Sequence, residues 1–167
     1  MSQWILYVAT SLDGFIAREN GALDWLPPPD EESYEAFWQG IDATVMGGTT
    51  YEQVLSFGEW PYEGKPSYVL TRQTRQTDRP DVHFVATVTD VQDQITAAGY
   101  ERVWVIGGGQ LVSALVQQGL IDVFVIALIP VILGRGIPLY RDWPETPLHW
   151  VSSQVVGEMV EVTWVRA

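Results

Sequence analysis

Residues 103–115 read VWVIGGGQLVSAL, and this stretch decides the fold. Its first half is short, apolar and rich in β-branched residues, which predicts a buried strand, and its second half predicts a helix. Between them, Gly107, Gly108 and Gly109 lead the strand directly into the helix N-terminus. Backbone amides at a helix N-terminus attract phosphate, and glycines without Cβ atoms let a pyrophosphate come close. The stretch therefore predicts a phosphate-binding junction, with a tight and closely packed turn as the alternative.

The junction does not match two common nucleotide-binding motifs. The G-x-G-x-x-G fingerprint fails at its last position, which is Val112. The G-x-x-x-x-G-K-[ST] loop fails as well, because no Gly-Lys-Ser/Thr follows the glycines. The phosphate-binding prediction therefore depends on the glycines and the helix N-terminus themselves.

Residues 45–52, VMGGTTYE, repeat the order of strand, glycines, hydroxyl side chains and helix. Thr49 or Thr50 could cap the helix or hydrogen-bond a phosphate, and taken alone an ordinary N-cap is the simpler interpretation. In an open α/β sheet, both junctions lie at the carboxyl edge of the strands. Two helix N-termini at one edge suit the two phosphates of a dinucleotide.

The rest of the chain alternates strands and helices, which predicts a three-layer α/β/α fold with a mostly parallel central sheet and a C-terminal antiparallel hairpin. Residues 1–167 are expected to form one domain, with a long loop at residues 10–30. The predicted strands are 3–9, 42–46, 67–71, 82–86, 102–106, 121–133 (bent at Pro130), 148–156 and 159–166, and the predicted helices are 31–39, 50–56, 89–98 and 110–118.

Composition excludes several classes of protein. With 47% hydrophobic and 18% charged residues among 167, the chain is neither disordered nor a coiled coil. It has no cysteine, which excludes disulfides and thiol chemistry, and a net charge of −12, which disfavours nucleic-acid binding. No apolar run reaches the roughly 20 residues of a membrane span, and no signal peptide is visible. We therefore expect a cytoplasmic protein without a membrane or nucleic-acid partner.

General acids and bases are few. His83 and His149 have no partner motif nearby, and no cluster of side chains has the spacing of a metal site. Asp30 stands where the N-cap of the first helix is expected, and Glu31 follows it in the first turn. The segment ATSLDGFIA at residues 9–17 reads locally as a β-turn.

Five ordered motifs together resemble the dihydrofolate-reductase superfamily. They are S-L-D-G at 11–14, V-M-G-G-T-T-Y-E at 45–52, Leu-Thr-Arg at 70–72, V-I-G-G-G at 105–109 and the segment from Pro130 to Tyr140. More narrowly, the chain resembles the C-terminal reductase domain of bacterial bifunctional riboflavin-biosynthesis deaminase-reductases and its stand-alone relatives.

The resemblance implies an eight-stranded, mostly parallel sheet that holds NADPH across its carboxyl edge. It places Ala9, Ile16, Asn20 and Gly21 near the nicotinamide; Gly47, Thr49 and Thr50 at one phosphate; Leu70, Thr71 and Arg72 around the adenosine ribose; and Ile106, Gly107, Gly108, Gly109, Gln110 and Leu111 at the pyrophosphate.

Several positions depart from the related enzymes. Gly48 and Gln110 stand where basic residues are common, so the 2′-phosphate of NADPH depends mainly on Arg72, helped by Arg75. Tyr7 stands where the riboflavin-pathway reductase usually has lysine, and the paired aspartates of its substrate segment are absent from GGTTYEQVL. Asp30 and Glu31 are the nearest candidates for the substrate-binding carboxylate of a dihydrofolate reductase.

The expected function is NADPH-dependent hydride transfer to a small heterocycle or sugar derivative. Reduction of 5-amino-6-(5-phosphoribosylamino)uracil is the first candidate activity, dihydrofolate reduction is the second, and a nucleotide-binding protein without catalysis is the third. A symmetric homodimer is expected, with the apolar C-terminal hairpin and the neighbouring long strand at or near the interface, and a monomer is the alternative. In its last strand, the face with Val160, Val162, Trp164 and Arg166 is predicted to face the core, which leaves Glu161 on the outer face.

Overall fold

The computed structural model describes residues 1–167 as an α/β protein built on an eight-stranded sheet. The sheet order is β5-β4-β3-β6-β1-β7-β10-β9, in which β10 runs antiparallel to β7 and to β9 and the other pairs are parallel. The predicted fold class is confirmed. The strands are β1 (Gln3–Ser11), β2 (Phe15–Ala17), β3 (Ala43–Gly47), β4 (Ser67–Leu70), β5 (Val82–Val85), β6 (Arg102–Gly107), β7 (Val123–Ile129), β8 (Ile137–Pro138), β9 (Leu148–Val156) and β10 (Met159–Arg166).

Four helices cover the two faces of this sheet, as the three-layer prediction requires. They are α1 (Glu31–Gln39), α2 (Gly48–Ser56), α3 (Val88–Ala98) and α4 (Gly109–Gln117). Buried side chains of α3 and α4 belong to a core of 19 residues, whereas α2 contributes to a second core of 11 residues against which α1 packs. Successive strand residues alternate between the two cores, so that Leu6 lies in the first and Ile5 in the second.

Three expectations about secondary structure are wrong in detail. The loop predicted at 10–30 contains β2, which pairs antiparallel with β8 in a separate two-stranded sheet. Strands of three and two residues are too short to show a period in the sequence. The long strand predicted at 121–133 ends at Ile129 in the structure, and α2 begins at Gly48, two residues earlier than predicted.

None of the helices has both the length and the apolar character that crossing a membrane requires.

The C-terminal hairpin is only partly covered by the rest of the molecule. Trp164 packs against the larger core as predicted, but Val160 on the same face is 41% exposed. Glu161, predicted on the outer face, instead lines a cavity on the α1 side of the sheet. The reason is that a hairpin at the edge of a sheet has neighbours on both faces, so that period-2 patterning cannot tell which face is the inner one.

Candidate functional site: the carboxyl edge of the sheet

The two glycine junctions are neighbours in space. They follow β3 and β6, which are adjacent parallel strands, so that both helix N-termini lie at the carboxyl edge of the sheet. A Cβ atom added to Gly47 would lie 3.8 Å from the backbone nitrogen of Gly108. The structure thus brings the phosphate-binding residues predicted from two separate motifs into one place.

The two helices that follow the glycine junctions lack side-chain caps, whereas the other two helices have them. Gly47 and Gly108 occupy the N-cap positions of α2 and α4, and neither has a side chain to accept a hydrogen bond from the helix amides. By contrast, Asp30 accepts from the Ser33 N–H at the start of α1, and Thr87 accepts from the Asp90 N–H at the start of α3. The unpaired amides of α2 and α4 therefore remain open to an external anion.

A tight turn explains two of the three glycines after β6 but not the third. Gly107 has φ +134°, a conformation that side chains rarely adopt, and a Cβ on Gly109 would lie 3.1 Å from the Pro138 carbonyl oxygen. Gly108 has an ordinary φ of −81°, and a Cβ there would meet only the Thr50 hydroxyl oxygen within 4 Å, at 3.3 Å. Gly108 thus leaves open the space beside Thr50.

The residues predicted around the adenosine ribose lie beside the first of these junctions. Thr71 follows β4, and its hydroxyl oxygen would lie 3.3 Å from a Cβ on Gly48. A guanidinium nitrogen of Arg75 would lie 3.6 Å from the same Cβ, and Arg75 also pairs with Glu52 at 2.8 Å. Arg72 is exposed and makes no ion pair. Arg75 thus brings a guanidinium to the place where Gly48 leaves room.

The residues predicted near the nicotinamide lie on the other side of the glycine junctions. Ala9, near the end of β1, lines the cavity described below, and the Cδ1 atom of Ile16 would lie 3.7 Å from a Cβ on Gly109. The Gly21 carbonyl accepts a hydrogen bond from the Gln53 side chain at 2.8 Å, which ties this loop to α2. Asn20 is exposed, and its side chain accepts from the Ala22 N–H within the same loop.

A cavity of about 240 Å³ adjoins Ala9 at the same edge of the sheet. Its walls come from β1, the proline-rich segment before α1, α1 itself, β6, β7 and the C-terminal hairpin. Ten of its 15 lining residues are hydrophobic. The full set is Tyr7, Val8, Ala9, Leu26, Pro27, Pro29, Asp30, Ser33, Tyr34, Trp104, Ala127, Ile129, Val156, Met159 and Glu161. A concave, mostly apolar cavity with a few polar groups is typical of a small-molecule site.

The two predicted catalytic acids are placed differently. Asp30 lines the cavity and also caps α1, and the backbone N–H of Ser33 holds the pKa of its carboxyl below the usual value. Glu31 is exposed in the first turn of α1 and lies on a shallow acidic groove outside the cavity. The structure thus brings Asp30, but not Glu31, to the cavity.

A pair of residues in the cavity wall was missed by sequence reasoning. The Tyr7 hydroxyl donates a hydrogen bond to the Glu161 carboxylate, and the Gln154 side chain donates to the other oxygen of Glu161 at 2.9 Å. Burial and the neighbouring Glu161 raise the pKa of Tyr7 well above its usual value, so that the hydroxyl keeps its proton. A glutamate in the middle of an apolar last strand is the one signal that could have indicated this site.

Comparison with known proteins shows the family. The RibD C-terminal domain matches residues 3–161, and the chain belongs to this family. The uncharacterized protein YwjB of Bacillus subtilis (strain 168) is 34% identical over 175 residues, which cover 98% of this chain and 97% of that protein. Riboflavin biosynthesis protein RibD of Corynebacterium ammoniagenes is 28% identical over 148 residues, or 79% of this chain and 44% of that protein.

Solved structures show the same fold. A protein from Shewanella sp. PV-4, whose name places it in riboflavin biosynthesis, superposes with a TM-score of 0.88 at 31% identity, covering 99% of both chains. The Thermotoga maritima diaminohydroxyphosphoribosylaminopyrimidine deaminase/5-amino-6-(5-phosphoribosylamino)uracil reductase gives a TM-score of 0.77 at 17% identity. That alignment covers 99% of this chain and 57% of the Thermotoga chain, and at this identity the likeness concerns the fold.

Proposed function

We propose that this protein is an NADPH-dependent reductase of a small molecule. The observation that carries the proposal is the pair of uncapped glycine junctions beside a cavity at one edge of the sheet. Membership in the RibD C-terminal domain family supports it, because a riboflavin biosynthesis protein is among the relatives.

The residues at this edge fit the cofactor. Gly108 leaves space beside Thr50 that a side chain would fill, and the amides at the start of α2 and α4 are open to the two phosphates. Arg72 and Arg75 supply the guanidinium groups for a 2′-phosphate. Ala9 and Ile16 would then flank the nicotinamide next to the cavity, where the substrate would lie.

The chemistry divides between the cofactor and the protein. Bound NADPH supplies the hydride from its nicotinamide C4 atom, and the protein positions the acceptor carbon. The apolar walls of the cavity would contact the faces of the substrate ring. The lowered pKa of Asp30 keeps its carboxyl ionised even in mild acid, so it can accept a hydrogen bond from a substrate N–H but holds no proton to donate.

Two substrates are worth testing first, and they have different support. The family and the name of the Thermotoga neighbour favour 5-amino-6-(5-phosphoribosylamino)uracil. The position of Asp30 in the cavity wall, at the start of the first helix, favours dihydrofolate as the second candidate. A protein that binds the nucleotide without turnover is the third.

We also propose that the protein is a cytoplasmic homodimer that pairs through its C-terminal hairpin. The edge strand β9 is exposed along almost its whole length, and Trp150 and Val155 are 62% and 75% exposed. An exposed edge strand that carries five apolar residues tends to associate unless another chain covers it.

The test is NADPH oxidation by the purified protein in the presence of each substrate. The proposal expects substrate-dependent loss of NADPH with one of the two. NADPH saturation without turnover on either substrate would favour the non-catalytic alternative, and failure to bind NADPH would contradict the proposal altogether.

A further inference from the structure

The cavity that would hold the substrate has mostly apolar walls, and the charged residues in those walls are acidic. Its only ionisable groups besides tyrosines are the carboxyls of Asp30 and Glu161, and no lysine or arginine is among its 15 lining residues. The whole chain also carries a net charge of −12. Both the local and the overall charge therefore oppose an anionic ligand in the cavity.

Three of the nine basic residues of the chain are engaged in contacts of their own. Arg18 makes two hydrogen bonds to Asp24, at 2.7 and 3.0 Å. Lys65 donates to backbone carbonyls at the end of α1, and Arg102 donates to the Gly40 carbonyl at 2.9 Å. A phosphate bound in the cavity would face two carboxylates and no cationic lining residue, and this repulsion is unfavourable.

Glu161 can accept more hydrogen bonds than the protein supplies. One oxygen accepts from the Tyr7 hydroxyl and the other from the Gln154 amide, whereas a carboxylate has about four acceptor sites. An ionised carboxylate binds best to a ligand that presents N–H groups, and best of all to two N–H groups side by side. Tyr34 and Trp104 line the same cavity and provide aromatic surface for a flat ring.

We propose that the substrate is a flat, unphosphorylated heterocycle, neutral or cationic, that donates N–H hydrogen bonds to Glu161. This inference rests on the proposed function in one respect, which is that the substrate occupies this cavity. It makes Glu161 a specificity-determining residue and makes a phosphoribosylated pyrimidine a poor substrate.

The first experiment measures binding of two flat rings of the same size, 2,4-diaminopyrimidine and orotate, by calorimetry. Protonated 2,4-diaminopyrimidine offers adjacent N–H groups to a carboxylate, whereas orotate carries a carboxylate of its own. The proposal expects 2,4-diaminopyrimidine to bind at least tenfold more tightly than orotate. No binding of 2,4-diaminopyrimidine, or equal binding of orotate, would overturn it.

The second experiment compares Glu161→Gln with Glu158→Gln. Glu158 is exposed in the turn between β9 and β10 and is not among the residues that line the cavity, so its variant removes the same charge away from the cavity. We expect Glu161→Gln to weaken 2,4-diaminopyrimidine binding at least tenfold and Glu158→Gln to leave it unchanged. Equal affinities in the two variants would overturn the proposal, and the comparison of the two rings on the native protein does not depend on how either variant folds.

A third measurement separates this inference from the proposed function. NADPH binding and turnover are measured with the aminouracil riboside and with its 5′-phosphate. Faster turnover of the phosphate would uphold the reductase and overturn the inference. If NADPH does not bind but 2,4-diaminopyrimidine binding still depends on Glu161, the reductase fails and the inference about the cavity stands.

Discussion

The Asp13 carboxylate accepts a hydrogen bond from the backbone N–H of Gly134 at 2.8 Å, although the two residues are 121 positions apart in the chain. Asp13 also accepts from the Leu133 N–H at 3.1 Å and from the Ser11 hydroxyl at 2.7 Å. Through these hydrogen bonds, Asp13 of the S-L-D-G motif fixes the end of β1 to the loop after β7. Both segments border the carboxyl edge of the sheet, so the hydrogen bonds of Asp13 stabilise the backbone beside the candidate site.

Asp13→Asn should lower the melting temperature at neutral pH, because the two backbone N–H groups bond to different carboxylate oxygens and asparagine replaces one of these oxygens with an NH2 donor. The hydroxyl of Ser11 and the two backbone N–H groups hold the pKa of Asp13 below its usual value. The stabilisation is therefore full above the ordinary aspartate pKa of about 4 and is lost as the pH falls through the lower pKa of the folded state. The melting temperatures of variant and native protein should converge in acid. Asp78→Asn, at an exposed site without partners, is the control. An equal loss of melting temperature in this variant would contradict the stabilising role of the Asp13 hydrogen bonds.

Arg72→Ala should change the choice of cofactor. Loss of one charge-assisted contact to the 2′-phosphate should weaken NADPH binding by about 1.5–3 kcal/mol, or roughly 10- to 100-fold, and leave NADH binding almost unchanged. Fluorescence titration with both cofactors measures this, and Arg141→Ala, which removes the same charge at another exposed position, is the control. Equal losses for NADPH and NADH would refute the assignment.

Val155→Lys should convert the homodimer into a monomer. Val155 is 75% exposed on the edge strand β9, so a lysine there costs the isolated chain little but would bury a charge in the proposed interface. Light scattering at micromolar concentration should give roughly twice 18.7 kDa for the native protein and 18.7 kDa for the variant. Ile132→Lys, at a loop residue that is 69% exposed, should stay dimeric. A native mass near that of one chain would rule out the dimer.

Lys65→Met should destabilise the fold through helix α1. The Lys65 ammonium group donates to the Trp38 and Ile41 carbonyls and lies 4.5 Å from the centre of the Trp38 ring. Methionine keeps the apolar stem but loses these charged hydrogen bonds, which should lower the free energy of unfolding by about 1–3 kcal/mol. Urea denaturation measures the loss. Arg135→Met, an exposed residue without a partner, should change it far less.

The sequence predicted the parts of the site that depend on local backbone geometry. Gly107–Gly109 and Gly47 were recognised because glycines between a strand and a helix are typical of a tight turn or of a phosphate-binding junction. Alternation of strands and helices then placed both junctions at one edge of the sheet. The adjacency of Gly47 and Gly108 was therefore predictable.

The positions of side chains that distant segments contribute to the site could not be predicted in the same way. Glu161 reaches the cavity because β10 crosses beside β7, and the alternation within β10 gives two faces without saying which one meets α1. Arg75 approaches Gly48 through an irregular segment after β4 that has no period in the sequence. The pairing of β2 with β8 likewise depends on tertiary contacts rather than on local preference.

The most direct test of the account is NADPH binding to Gly108→Val. Branched atoms at this position would fill the space beside Thr50, where a Cβ alone would already lie 3.3 Å from the hydroxyl oxygen. Gly108→Ala is a milder variant, and Gly40→Ala, at the C-terminal cap of α1, is the control. We predict saturable binding of one NADPH per chain to the native protein and to Gly40→Ala, and no measurable binding to a folded Gly108→Val. If Gly108→Val binds NADPH as tightly as the native protein does, the glycine junction is only a turn and the cofactor does not lie there.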